Sequence, residues 1–165
     1  MGAGIMRILI AAIGKLKDDA EREIVARYVK RCEAQGRALG LGPLEIAELP
    51  ESRAASADAR KTDEAQRLLK TTGAATYKIA LDVEGKHMTS EAIAGLLGKQ
   101  ADAGTKACAF LIGGPDGQGL DVLKTASLKL SLGAITLPHG LARVVLAEQL
   151  YRAATILSGH PYHRG

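Results

Sequence analysis

Tryptophan is absent from this 165-residue chain, phenylalanine occurs once and tyrosine four times. So few rings exclude base stacking as the main mode of any RNA contact, which would have to work through phosphates and shape. The interior must be aliphatic, and an apolar fraction of 47% beside 24% charged residues is that of an ordinary globular chain rather than a disordered one. Only two cysteines occur, Cys32 and Cys108, with no companions at the spacing of a disulfide framework or a thiolate metal site. Cys108 lies in the apolar run 107–112 and is expected as a buried thiol of a reducing compartment. No stretch reaches the ~18 unbroken apolar residues of a membrane span. The first seven residues lack the apolar core and cleavage site of a secretory signal. A cytoplasmic protein with no membrane contact is the expectation.

What is present alternates in type. Residues 7–13 form an aliphatic run closed by Gly14, read as a buried first strand. Asp18 or Asp19 then caps a helix with Ile24, Val25, Tyr28, Val29 and Cys32 on one stripe, ending at Gly36. A second strand over 44–49 stops at Pro50, and a helix over 58–70 turns Ala65, Leu68 and Leu69 inward. A third strand, 77–81, ends at Asp82 before the turn Glu84-Gly85-Lys86. Ser90 caps a helix through Gln100, a fourth strand covers 107–112, a short helix 120–127, and Leu128, Leu130 and Leu132 alternate at strand period. The pattern predicts an α/β fold, a mostly parallel sheet with helices on both faces, in one domain over 1–165. Ligands of such sheets collect beyond the carboxyl ends of the strands, and three edges qualify: Leu81-Asp82, Gly113-Gly114 and 134–138.

The chemical candidates crowd the last third. Gly113-Gly114-Pro115-Asp116-Gly117 follows a strand and precedes a helix, where a phosphate-binding turn would stand, but it lacks the Gly-Lys-Ser/Thr of a P-loop and the dinucleotide spacing. A tight turn relieved by glycine accounts for it equally well. His160 and His163 have no third ligand nearby, so no metal site is expected. Arg152 sits four residues after Glu148, the spacing of a helix-face ion pair. His139, after Pro138, can simply begin a helix. Arg53, Arg60 and Lys61 could meet a phosphate, although a solvated surface is the better expectation for them. At 100° per residue Arg143 and Arg152 fall on opposite faces of one helix, so a site using both would need two copies of the chain.

Taken together, Gly113-Gly114-Pro115-Asp116-Gly117, Leu137-Pro138-His139, the run from Arg143 to Ala153 and the ending His160-Pro161-Tyr162-His163-Arg164 resemble one family closely. It is the RlmH family of ribosomal large-subunit RNA pseudouridine N3-methyltransferases, of the SPOUT class. The start of the first strand through Lys17 and the segment Leu81 to Lys86 are similar to it too. The resemblance leaves residues 1–5 as an expected N-terminal extension.

The resemblance implies an α/β fold with a C-terminal trefoil knot, and S-adenosyl-L-methionine held in that knot mostly by backbone groups. Carried over by motif, the cofactor residues are Leu81, Gly113, Gly114, Leu132, Gly133, Ala134, Ile135, Thr136 and Leu137. It further implies a homodimer acting on assembled ribosomes, at a pseudouridine of large-subunit rRNA in the helix 69 stem-loop. His139 is then expected to handle the proton or position the base, and Arg152 to orient the base or stabilise its developing charge. Tyr162, His163 and Arg164 would come from the partner's tail. Two rival expectations stand beside these: a SPOUT methyltransferase for another RNA site, and a non-catalytic ribosome-binding factor with a cofactor-like pocket.

Overall fold

The computed structural model describes residues 4–73 and 77–164; most of the extension expected at 1–5 lies outside the described residues. Five strands, β1 (Met6–Ile13), β2 (Leu41–Leu49), β3 (Tyr77–His87), β4 (Ala107–Ile112) and β5 (Leu128–Ser131), form one sheet in the order β2-β1-β4-β3-β5. Every pairing is parallel. The helices are α1 (Asp19–Gly36), α2 (Ala57–Thr72), α3 (Ser90–Asp102), α4 (Leu120–Thr125) and α5 (His139–Ser158). The two strands at the centre, β1 and β4, are the near-continuous aliphatic runs, as a sheet covered on both faces requires.

The cover divides the core in two. One face packs Met6, Ile8, Ile10 and the single phenylalanine, Phe110, against α1, α3 and α5. The other packs Ala11, Ile13 and Leu111 against Ala65 and Leu68 of α2 and Val122 of α4. Both cysteines are buried, and the loss of hydration pushes each thiol up to about 12, which makes them inert packing groups. Among the described residues no helix is long and apolar enough to cross a membrane.

Two local expectations are corrected, and a third holds for a different reason. α1 ends at Gly36 as expected, although not with a left-handed residue. The chain runs on through a 3-10 turn, Arg37–Leu39, and Gly40 (φ 72°) supplies that conformation instead. Gly36 is required for another reason: a Cβ there would stand 2.7 Å from the carbonyl oxygen of Leu41. α3 is capped from Thr89, whose hydroxyl accepts from the Ala92 amide, one residue before the Ser90 expected. The third strand does not end at Asp82; it bulges between Leu81 and Lys86 and pairs with β5 on either side. Gly85 permits this, since a Cβ there would meet the backbone of Lys129 and Leu130 at 2.7–2.8 Å.

The second half of the chain places the functional turns. From β5 at the sheet edge the backbone returns over the ends of β3 and β4, and α5 then descends between α1 and α3. Gly140, Arg143, Leu146, Ala147, Leu150, Tyr151 and Ala154 form its buried stripe at spacings of three and four.

Candidate active site

The three edges singled out above meet around one cavity of about 560 Å³ at the carboxyl ends of β3 and β4. Leu81, Gly113, Gly114, Thr136, Leu137 and His139 line it. Leu132, Gly133 and Ile135 line a smaller hollow of about 130 Å³ that shares the walls Leu81, Ile112 and Leu137. Ala134 is exposed and lines neither.

The Gly-Pro-Asp-Gly segment is the tight turn that its composition allowed: the Gly117 amide donates to the Gly114 carbonyl at 2.9 Å, with Pro115 second and Gly117 at φ 95°. The glycines also relieve crowding. A Cβ on Gly113 would come within 2.9 Å of the Gly117 carbonyl oxygen, and one on Gly114 within 2.8 Å of Oε1 of Glu64. These positions can therefore offer only backbone to the cavity. Arg60, expected on a solvated surface, instead donates to Asp116 at 2.7 Å and to the Ala54 carbonyl at 3.1 Å, pinning the turn to α2 and the 50–56 loop.

That pin carries a pH signature. The hydrogen bond from Arg60, with its charge, holds the Asp116 carboxyl below its ordinary 3.8. A carboxyl depressed in the folded state stabilises above its unfolded value and stops doing so as pH falls through the folded one. Asp116→Asn is therefore expected to melt below the parent at pH 7, with the gap closing once pH drops under 3.8. Thermal melts from pH 7 to 3 measure this, and a gap that stays constant with pH would remove the pin.

His139 opens α5 with its ring against Gly14. A Cβ on Gly14, already at φ 97°, would stand 2.6 Å from Nε2, so only glycine admits the ring there. Nε2 is buried without a hydrogen-bond partner among the described residues. Burial and then the charge of Arg143 lower the imidazole's pKa, against Glu51, Glu21 and Glu64, which act the other way. At neutral pH the ring is uncharged, able to donate or accept a proton but not to supply positive charge. Arg143 itself is wholly buried, bonding Glu48 at the end of β2 and the carbonyl of Gly14 at 3.0 Å.

The remaining candidates lie elsewhere. Arg152 is thirteen residues beyond His139 on α5, roughly 20 Å along the axis. Its Nε and Nη2 donate to Glu148 Oε1 at 2.9 and 2.6 Å, and Nη1 to Nδ1 of His163 at 3.1 Å. Its guanidinium lies 4.8 Å from the Tyr162 ring centroid. Tyr162 donates its hydroxyl to Glu148 at 3.1 Å, and burial raises its pKa well above the usual phenol value. His163 reaches Glu91 of α3 at 2.7 Å, while Arg164 is exposed. The helix-face ion pair foreseen for Glu148 and Arg152 is thus real, and three of the five N–H donors of Arg152 are committed within the cluster. The sparse aromatics collect here too, with Tyr28, Tyr151 and Tyr162 in contact at centroid spacings of 5.9 and 4.6 Å.

Sequence reasoning missed three residues at the cavity. Gln118 donates its amide to the Leu111 and Leu81 carbonyls at 2.7 and 3.3 Å, bridging β4 and β3 where their ladder has ended, while its Oε1 is buried without a partner among the described residues. Glu51 lines the cavity wall. Glu64 is buried beneath the glycine turn, accepting the Ser52 amide at 2.8 Å. Only Gln118 left a trace in the sequence, as a lone polar residue between the glycines of a turn. Among the described residues no group of His, Cys, Asp and Glu could hold a metal ion.

Comparison with known proteins brings further findings. The family model described as "Predicted SPOUT methyltransferase" matches residues 6–163. The "Ribosomal RNA large subunit methyltransferase H" of Xanthobacter autotrophicus is 48% identical over 159 residues, covering 96% of this chain and 99% of that protein. The protein of the same name from Brucella anthropi is 46% identical with the same coverage.

Proposed function

This chain belongs to the SPOUT methyltransferase family, and on that premise we propose that it is a cytoplasmic homodimer that methylates N3 of a pseudouridine in the helix 69 stem-loop of large-subunit rRNA, on assembled ribosomes, with S-adenosyl-L-methionine as donor. The fold of the class is the α/β knot, and the 113–119 turn and the 132–138 return are the segments that would form its threaded part. The observation that carries the donor assignment is the glycine-walled cavity at the strand ends. Its volume of about 560 Å³ is that of a pocket for a drug-sized ligand. Gly113 and Gly114 cannot accept a side chain without collision, so the wall meets a ligand with backbone donors and acceptors. Leu81, Gly113, Gly114, Thr136 and Leu137 would hold the group, with Leu132, Gly133, Ala134 and Ile135 beside it.

When bound, S-adenosylmethionine supplies an activated methyl on a sulfonium. The protein must then align the attacking nitrogen and deal with one proton. His139, neutral and seated on Gly14, would position the base or take up that proton. Arg152 would stabilise negative charge as it develops on the base. Since Arg152, Tyr162 and His163 are grouped about 20 Å from His139, they would reach the cavity from the partner copy as one preassembled unit, with Arg164 beside them for RNA. Val83 and Ile135, exposed apolar residues at 69% and 78%, line the cavity and the hollow beside it, where that copy would rest.

The test uses ribosomes from cells lacking the modification, incubated with the protein and labelled donor, and nucleoside mass spectrometry. N3-methylpseudouridine in large-subunit rRNA is the expected product, with yield falling steeply as salt rises because phosphate contacts release counterions. Label in transfer RNA alone would transfer the assignment to another substrate. Cofactor binding without any labelled RNA would reduce the protein to a binding factor.

A further inference from the structure

The cavity carries a charge opposite to that of the chain. The protein is +4 overall, yet the ionic side chains lining the cavity are Glu51 and Asp82, with no lysine or arginine among the described lining residues. Arg60, which holds the glycine turn, is neutralised by Asp116, and Arg143, bonded to the Gly14 carbonyl, by Glu48. His139 contributes no charge at neutral pH. A further carboxyl, that of Glu64, lies under the floor, its Oε1 without a hydrogen-bond partner among the described residues and 2.8 Å from where a Gly114 Cβ would stand. A carboxylate-lined pit in a basic protein repels phosphate and favours a cation.

We propose that Glu51 and Asp82 select the methyl donor over its demethylated product by charge. The inference rests on the donor assignment above. Transfer forms an N–CH3 bond as the S–CH3 bond breaks with its electron pair returning to sulfur, and the N3 proton passes to His139 or to solvent. The sulfonium becomes a neutral thioether, so the ligand loses one positive charge inside a cavity that attracts it. Glu51 and Asp82 thereby weaken their hold on the product without any movement of the walls. They are specificity residues, and they act on the ligand through space.

Isothermal titration of the full-length protein with S-adenosylmethionine, S-adenosylhomocysteine and sinefungin tests this. The third ligand carries an ammonium where the methylsulfonium stands. Because both side chains are partly solvated, the expected loss for Glu51→Gln or Asp82→Asn is about threefold in the Kd of each cationic ligand, and ~tenfold for the double variant. The homocysteine product should change by less than about twofold, and added salt should weaken only the cationic ligands. Equal weakening of all three ligands, or of none, overturns the proposal. Unaltered parent protein that binds none of the three would instead sink the donor assignment, and the charge selection with it.

Discussion

Replacing Arg152 with alanine is expected to lower methyl transfer 10²- to 10³-fold while the Kd for S-adenosylhomocysteine stays within about twofold. The magnitude is that of removing one preorganised donor from a site where anionic charge develops, about 2.7–4 kcal/mol. The separation explains the split, since Arg152 lies about 20 Å along α5 from the cavity of its own chain. Removing residues 162–165 should act in the same direction, because Tyr162 and His163 fix the guanidinium from its face and from Nη1. A structural role alone would move the melting temperature and the cofactor affinity together, and an unchanged Kd for S-adenosylhomocysteine would exclude it. Mixing two inactive variants gives the sharper result. In a heterodimer of His139→Ala and Arg152→Ala, one cavity has an intact His139 facing the partner's intact Arg152, and the other has neither. Random reassortment of the copies then restores about a quarter of parental activity under two-fold symmetry. A site completed within one chain would stay inactive after mixing, and that outcome ends the shared-site proposal.

How far the sequence led is visible at particular residues. The aliphatic runs of β1 and β4 were read almost to the residue, because strands buried on both faces leave no polar interruption to mislead. The extension of β3 past Asp82 was illegible: Glu84-Gly85-Lys86 has turn composition, and the cause for Gly85 is a tertiary approach of Lys129 and Leu130. The cavity could be located because motif order carried it. Its charge could not, since Glu51 reaches it from a loop sixty residues before Leu111 and reads locally as solvated. Arg152 and His139 looked like members of one site on one helix. Their separation follows from helical rise alone, a quantity available from the sequence, and it ties Arg152 to the tail on the same protomer.

Arg143→Met is the substitution expected to cost most stability. Arg143 is the largest side chain with almost no exposure, 1%, and it joins Glu48 at the end of β2 to the Gly14 carbonyl at the end of β1. Glu48 also accepts the Leu16 amide at 2.8 Å, so three chain segments converge on this pair. Removing one member of a buried ion pair costs about 3–5 kcal/mol, because the other is left without its partner. Glu48 is 34% exposed and can recover some hydration, which argues for the lower end, about 3 kcal/mol. For a chain of this size that is a fall in Tm of about 6–12 °C. Glu48→Met in the same molecule should recover most of the loss, as replacing both partners with apolar groups removes the stranded charge. The effect reaches the cavity as well: Gly14 is the seat of the His139 ring, and freeing its carbonyl lets the start of α5 shift. Calorimetric melts of the two single variants and the double variant decide the matter. A single variant melting within 2 °C of the parent, a shift worth at most ~1 kcal/mol at this size, would show that packing of the arginine stem, and not the pair, holds the strand ends together.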